Sequence, residues 1–448
     1  MHSIETFQKK TIKDCFDYFR LCKSKKVDPA ISPLCFSTIW ARSPGQIRLK
    51  QIWKTRSSSD IIYLIKNFLS ISKNYDLQVF NENFDYKKKK NINVIISYSS
   101  KKNFDNNGNF KDSYFDSNSR KNPENIWFLI SLDNYVPKKV NKNIFILSKK
   151  NKNKFSLIYL LKKIFCLIFQ NKFSLFKISH YCWYEYDFAE KTKNLFMKTF
   201  KNNDIKKLLI NYESVPFQNY LIKAVKKKNI RTNTIGYLHC APWPLQTDLI
   251  NRNIVLDKLY VSSEGQKNVL VNHLGWSKKK IFVIPSLRFI KKKKSELNGF
   301  IFPPYNLIKH NNYLERFENF LKSVPDGYLN KLKVRIHPLN SDSAIHKSMK
   351  DQIDKIMLKF RKKFNKNKQK ISIFFGSATG VCIQALEEGT KIIHFPENER
   401  TDVFTNYFWK NIVISPLSDD IYTYKLTKYQ KLFMINSEKN KFDKYFRL

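Results

Sequence analysis

The sequence predicts an α/β protein in which two doubly wound domains face one another behind a helical N-terminal appendage. Three observations carry this. From residue 206 onward, short apolar runs alternate regularly with helical patterns, as in a chain of parallel strands joined by helices. The charged stretch Lys291 to Asn298 interrupts the alternation, and a second series of the same kind follows it. Six of the predicted strands also end on polar or ionisable residues, at the edge where open parallel sheets bind ligands. With 448 residues, 42% of them hydrophobic, the chain is long enough for two full cores.

In chain order, residues 4 to 24 read as a helix, with Ile12, Cys15, Phe16, Phe19 and Leu21 near the helical period. Residues 30 to 56 are irregular, and Ile61 to Ile71 reads as a helix. Asn93 to Tyr98 is the first clear strand. The polar connection from Ser99 to Asn122 is too long for a simple turn and reads as a mobile loop over a site. Ile126 to Leu132 and Ile144 to Leu147 are further strands. Phe155 to Phe173 is strongly apolar but broken by Lys162 and Lys163, which argues against a membrane span of about 20 uninterrupted residues. It reads either as a core helix or as an interfacial helix whose lysines reach lipid phosphate.

The regular part follows. Lys207 to Tyr212, Thr234 to His239, Leu259 to Ser262 and Ile281 to Pro285 are strands, with helices at Phe217 to Lys228 and Gly265 to Leu274. The second series comprises strand Gly299 to Phe302, helix Asn312 to Leu321, strand Lys333 to Ile336, helix Ser343 to Phe364, and the unit ISIFFGSATGVCIQALEEGTKIIHFPE from Ile371 to Glu397. The expected domains are a helical appendage at 1–85, a first doubly wound domain at 86–290, a second at 299–415 and a helical tail at 416–448.

The formal net charge of +45 suggests an anionic partner. However, 69 of the 82 basic residues are lysine, whereas nucleic-acid readers favour the bidentate fork of arginine. Abundant Lys, Asn, Ile, Phe and Tyr with only 10 Gly is the signature of an A/T-rich coding sequence, so nucleic acid is disfavoured as a partner. The seven cysteines form no C-x-x-C pair, and neither a metal ligand set nor a disulfide framework is expected. The start, MHSIETFQKK, lacks an apolar core segment, so no signal peptide is expected. These features fit a cytoplasmic protein.

Scarce glycine makes Gly376-Ser377-Ala378-Thr379-Gly380 conspicuous. The turn joins an apolar strand to a helix, and such a helix start offers free backbone N–H groups and a positive dipole end to an anion. Ser377 or Thr379 can also cap that helix, and capping does not exclude phosphate binding. The other strand ends carry Glu213, His239, Ser262-Ser263-Glu264, His337-Pro338 and Glu397. Glu213 sits between a strand and a Pro-initiated helix, where partial desolvation raises a carboxylate toward general-base use; the alternative is a helix-dipole partner. His239 precedes a Pro/Trp-rich loop that can wall an acceptor pocket. His337, with Arg335 nearby, suits an anionic phosphate, and Glu397 suits ribose hydroxyls.

The RIHPL element, followed by a strand and G-S-A-T-G-x-x-x-x-A-L-x-x-G, resembles the nucleotide half of GT-B glycosyltransferases, especially sialyltransferase-like, capsule and O-antigen enzymes with an HP and a Ser/Thr motif. YESVPFQ followed by TIGYLH resembles the acceptor domain of surface-carbohydrate biosynthesis proteins. The likeness covers roughly residues 91 to 415. It implies two Rossmann-like domains, with His337, Ser377 and Thr379 binding the donor's phosphates and Glu397 approaching the ribose; Pro338, Gly376, Ala378, Arg335, Ser263 and Glu264 complete the expected donor-binding set. It also implies Glu213 or His239 as base. No D-x-D occurs, so metal-bridged diphosphate binding is disfavoured. The expected activity is metal-independent single-displacement transfer from a nucleotide sugar, with no further cofactor. The expected acceptor is a surface glycan or lipid-linked, approached from an anionic membrane surface. The competing readings are a polyol-phosphate transferase or nucleotide-sugar epimerase on the same fold, and a basic membrane- or nucleic-acid-binding protein without catalysis.

Overall fold

The computed structural model describes residues 1–31, 73–74, 76–81, 91–120, 123–149, 154–155, 157–169, 177, 180–181, 184–287, 297–304, 313–337, 340–365, 370–376, 380–397, 399–418, 420–427 and 442–446. The expected helix at 61–71, most of the charged stretch that begins at Lys291, Pro338, and Ser377 to Thr379 lie outside them.

Eight strands form the first sheet: β1 (Leu77–Phe80), β2 (Ile92–Ser99), β3 (Asn125–Ser131), β4 (Ile144–Lys149), β5 (Ile205–Asn211), β6 (Asn233–Tyr237), β7 (Lys258–Val261) and β8 (Ile281–Val283). Their order is β8-β7-β6-β5-β2-β3-β4-β1, parallel throughout except for β1 against β4. Strands buried on both faces read as unbroken apolar runs, and the register explains which residue goes where. Val94, Ile96, Phe128 and Leu208 enter one core, and their neighbours Ile95, Trp127 and Leu209 enter the core on the other face. Chain order runs outward in one direction from β2 to β4 and in the other from β5 to β8, so the switch point lies between β2 and β5.

The second sheet contains β9 (Phe300–Phe302), β10 (Lys333–Val334), β11 (Ile371–Phe375), β12 (Lys391–Phe395), β13 (Ile412–Ser418) and β14 (Ile421–Leu426), in the order β10-β9-β11-β12-β14-β13. Its first four strands are parallel, β14 and β13 add an antiparallel edge, and the switch point lies between β9 and β11. The expected strand to Ile336 is thus only two residues long, and it occupies an edge.

Among the described residues the helices are α1 (His2–Ser24), α2 (Leu157–Phe169), α3 (Tyr184–Thr199), α4 (Pro216–Lys228), α5 (Glu264–Asn272), α6 (Tyr313–Ser323), α7 (Ala344–Lys359), α8 (Gly380–Glu387), α9 (Glu399–Asp402) and α10 (Phe442–Phe446). The expected N-terminal helix, α1, is packed against the rest of the molecule: Cys15, Tyr18, Phe19 and Cys22 belong to a continuous core that also holds Phe404 and Trp409 of the second unit. Gln8 fastens it there, donating to the Val403 carbonyl at 2.9 Å and accepting from the Thr405 hydroxyl at 2.9 Å. The expected helical tail at 416–448 changes, because it contains strand β14. Alternating Ile421, Thr423 and Lys425 with Tyr422 and Tyr424 suits a strand, and the helix α10 further on packs Phe442 and Phe446 onto Phe115, Tyr237 and Tyr260 of the first unit.

Helix α2 exposes Ile158, Leu161, Phe165, Ile168 and Phe169. These positions recur at helical spacing on one face, so this face is not part of the core. Lys162 is exposed beside them. No helix among the described residues is long and apolar enough to cross a membrane.

Candidate functional site

Ligands in open parallel sheets bind beyond the carboxyl ends of the strands, at the switch point. In the first sheet that point is flanked by Tyr98 near the end of β2 and by Glu213 just after β5. His239 follows β6, the next strand. The three meet: the Tyr98 hydroxyl donates to Glu213 Oε2 at 3.2 Å, and Glu213 Oε1 lies 3.4 Å from His239 Nε2. Burial and the adjacent Glu213 carboxylate push the Tyr98 phenol well above its ordinary pKa, which keeps it a proton donor. His239 is 3% exposed and Glu213 34%, so the carboxylate is the member of the pair that opens to solvent. Cys240 adds a sulfur 3.1 Å from His239 Nε2.

The backbone that carries Glu213 is held from several directions. Pro216 opens α4, where its fixed φ and missing N–H cost nothing. Gln218 Oε1 accepts from the Glu213 N–H at 2.9 Å while its Nε2 donates to the Asn211 carbonyl at 2.6 Å. Ser214 sits at φ 60, an uncommon conformation for a residue with a Cβ. Buried Arg252 stabilises it by donating to the Ser214 carbonyl at 2.6 Å, and Asn219 donates to the same oxygen at 3.3 Å.

The long connection after β2 does lie over this site, and it is anchored. Phe110 and Phe115 are fully buried, and Asp112 accepts from the Ser97 hydroxyl and from the N–H groups of Tyr114 and Phe115. Burial raises the Asp112 carboxyl from 3.8 to about 6. This framework holds the Tyr114 ring 4.5 Å from the His239 ring and 6.0 Å from that of Tyr98.

In the second sheet, the switch point between β9 and β11 is lined by Pro304 and Gly376. Gly376 has φ +85, and a Cβ there would stand 3.0 Å from the Pro304 Cβ, so the turn requires glycine both for conformation and for space. Its N–H donates to the Phe395 carbonyl at 2.8 Å. The Gly376 carbonyl is 2.5 Å from His394 Nε2, while His394 Nδ1 is 2.8 Å from the Tyr424 hydroxyl. A carbonyl only accepts, so Nε2 carries the proton and Nδ1 accepts from Tyr424. Burial lowers His394 to about 4, which favours this neutral form.

The remaining sequence candidates are placed as follows. Arg335 and His337 are exposed beyond edge strand β10, with β9 between them and Gly376, and Arg335 stacks over Phe300 at 5.5 Å. Glu397 is half-buried after β12, beside Pro396, whose carbonyl accepts from Arg316 at 3.0 Å. Ser263 is fully buried in the first unit, and its Oγ accepts from Gln266 N at 3.0 Å, so it serves as the N-cap of α5. Glu264 is exposed in that helix's first turn. These two are therefore separated from the Gly376 turn, which belongs to the other sheet. Sequence reasoning missed Tyr98, Tyr114, Arg252 and His394. Only Arg252 left a signal, as one of few arginines in a chain where 69 of the 82 basic residues are lysine.

No family model and no curated relative matches the chain. Among solved structures it is similar to OtsA in its apo form (14% identity, TM-score 0.33, covering 63% of this chain and 77% of that one). It is also similar to an α,α-trehalose-phosphate synthase (UDP-forming) from Burkholderia vietnamiensis (9%, TM-score 0.32, 69% and 89%). A third is the wall teichoic acid polymerase TagF (10%, TM-score 0.27, 77% and 78%). Likeness of this size carries no assignment of substrate or chemistry.

Proposed function

We propose that the protein is a glycosyltransferase of GT-B type that moves a sugar from a nucleotide donor to an acceptor hydroxyl. What supports this most is one observation: Glu213, backed by His239 and Tyr98, stands at the switch point of the first sheet, while Gly376, four residues before the first residue of helix α8, stands at the switch point of the second. The first arrangement suits deprotonation of an acceptor, and the second suits an anionic diphosphate.

Their difference in burial supports different roles for the pair. Glu213 opens to solvent and acts as the base, whereas His239, buried beneath Tyr114, orients the carboxylate. The donor's leaving phosphate is stabilised by residues 376–380 at the start of helix α8, with Glu397 approaching from the end of β12 and His337 from beyond the edge strand β10. Displacement is single and needs no metal.

The acceptor is a glycan or lipid-linked chain of surface-carbohydrate biosynthesis, and the protein works at the inner face of the cytoplasmic membrane. The exposed apolar face of α2, with Lys162 beside it, favours peripheral contact with anionic lipid, where each lysine contributes up to about 1 kcal/mol. Liposome flotation that is strong at low salt and lost at high salt is the expected result. Absence of binding at low salt would remove the membrane from this reading.

The transfer reading is tested by a thermal-shift panel of CMP, UDP, GDP and dTDP, followed by turnover of the matching nucleotide sugar with and without acceptor. Turnover without acceptor indicates an epimerase instead. No stabilisation by any nucleotide, together with salt-dependent polyanion binding, indicates a basic binding protein.

A further inference from the structure

Glu213, His239 and Cys240 each bring one donor atom into a group whose members all lie within 4.8 Å of one another. Two of the separations are 3.4 Å, between His239 Nε2 and Glu213 Oε1, and 3.1 Å, between His239 Nε2 and Cys240 Sγ. A tetrahedral zinc ion bonds its ligands at about 2.0–2.3 Å, which sets ligand atoms roughly 3.3–3.6 Å apart. Both separations are within about half an ångström of that spacing, while the Glu213–Cys240 pair, within 4.8 Å, has to draw in on binding.

The chemistry agrees with the distances. A single ring nitrogen faces a carboxylate and a sulfur at once, and it has at most one proton to offer them. A cation bonded to all three removes that competition. The mixed N, O and S set suits a borderline-soft ion, whereas magnesium and calcium select oxygen. The second oxygen of Glu213 accepts from Tyr98, and such an outer hydrogen bond is what turns the first oxygen toward a metal.

We propose that Glu213, His239 and Cys240 form a three-ligand site for a thiophilic divalent cation of the zinc class, its fourth position open on the exposed side of Glu213. Binding requires only these donors and stands whether or not the protein transfers sugar. Where the transfer reading also holds, the ion occupies the lone pairs of the base, so zinc inhibits turnover and a chelator restores it.

The test reads binding without turnover. Chelator-treated full-length protein, kept reduced, is titrated with cobalt(II). One equivalent is expected to give a thiolate-to-cobalt charge-transfer band and the visible bands of tetrahedral coordination, both displaced by zinc, with release of the thiol proton. Cys240→Ser, which leaves the other six cysteines in place, is expected to abolish the charge-transfer band. Glu213→Gln is expected to weaken cobalt binding by more than about tenfold, the lower end of what even outer-shell changes cost. No charge-transfer band in the wild-type protein, or one undiminished in Cys240→Ser, overturns the proposal. Should that variant fail to fold, zinc protection of Cys240 from alkylation in the wild-type protein decides. Protection supports the site, and equal labelling with and without zinc overturns it.

Discussion

Glu213 Oε1 stands 3.4 Å from His239 Nε2 because β5 and β6 are parallel neighbours in a register that pairs Asn211 with Tyr237. Each residue lies two positions beyond its member of that pair. The contact therefore follows from strand register, and a shift of one residue would break it.

Under the proposed chemistry, Glu213→Gln lowers turnover by roughly 10²-fold or more while nucleotide affinity stays within about twofold, because the donor contacts the other sheet. Tyr98→Phe removes one hydrogen bond to the carboxylate and lowers turnover by about tenfold. Steady-state kinetics with separate nucleotide titrations check both. Normal turnover in Glu213→Gln would transfer the base role elsewhere.

Arg252 and Ser214 form a supporting pair. Arg252 is 1% exposed and donates to the carbonyls of Asp248, Ile250 and Ser214. Arg252→Met leaves these carbonyls with one partner fewer and costs about 2–4 kcal/mol in urea denaturation. Ser214→Gly suits φ 60 and changes stability by less than about 1 kcal/mol, its relief of strain offset by greater freedom in the unfolded chain. A wild-type urea midpoint for Arg252→Met would refute this account.

His394 and Asp112 act on stability in opposite directions as pH changes. The folded-state pKa of His394 is lowered from 6.5 to about 4, so its contribution is fully present above pH 6.5 and is lost as pH falls through 4. At about 1.4 kcal/mol per unit, that is on the order of 3 kcal/mol. Asp112 is raised from 3.8 to about 6, so its contribution is present below pH 3.8 and is lost as pH rises through 6. Against the wild-type profile, His394→Asn should flatten the acid-side decline and Asp112→Asn should remove the opposing trend. Denaturant midpoints at several pH values from 4 to 7.5 measure both slopes, and unchanged slopes in either variant would contradict the assignment.

Gly376→Ala forces a Cβ toward Pro304 at a positive φ and should disturb the turn by about 1–2 kcal/mol or more. Ser377→Ala with Thr379→Ala should cost only about 1 kcal/mol, the loss of one helix cap. All of these changes should reduce thermal stabilisation by the preferred nucleotide. Undiminished nucleotide protection in the Ser377/Thr379 double variant would end the phosphate assignment.

Much of this was legible in the sequence, and for a definite reason. Strands buried on both faces must be largely apolar, so LLIN, TIGY and ISIFF read as strands, and Glu213, His239 and Gly376 follow them at the strand ends. Local pattern cannot report sheet order, and order decided the rest. It set β5 beside both β2 and β6, bringing Tyr98 and His239 to Glu213, and it moved His337 to an edge and Ser263 to the other sheet from Gly376. Tyr98, Tyr114, Arg252 and His394 act through partners remote in sequence, as α1 does when Gln8 reaches Thr405. Likewise, helical periodicity marked α2 as apolar, but whether that face met a core or solvent depended on what folded against it, and five of its large side chains remain exposed. The sequence determined which residues would stand at strand ends, because burial imposes a local pattern. Which of them share a site was decided only by the tertiary pairing of strands, whose energy comes from contacts between distant segments.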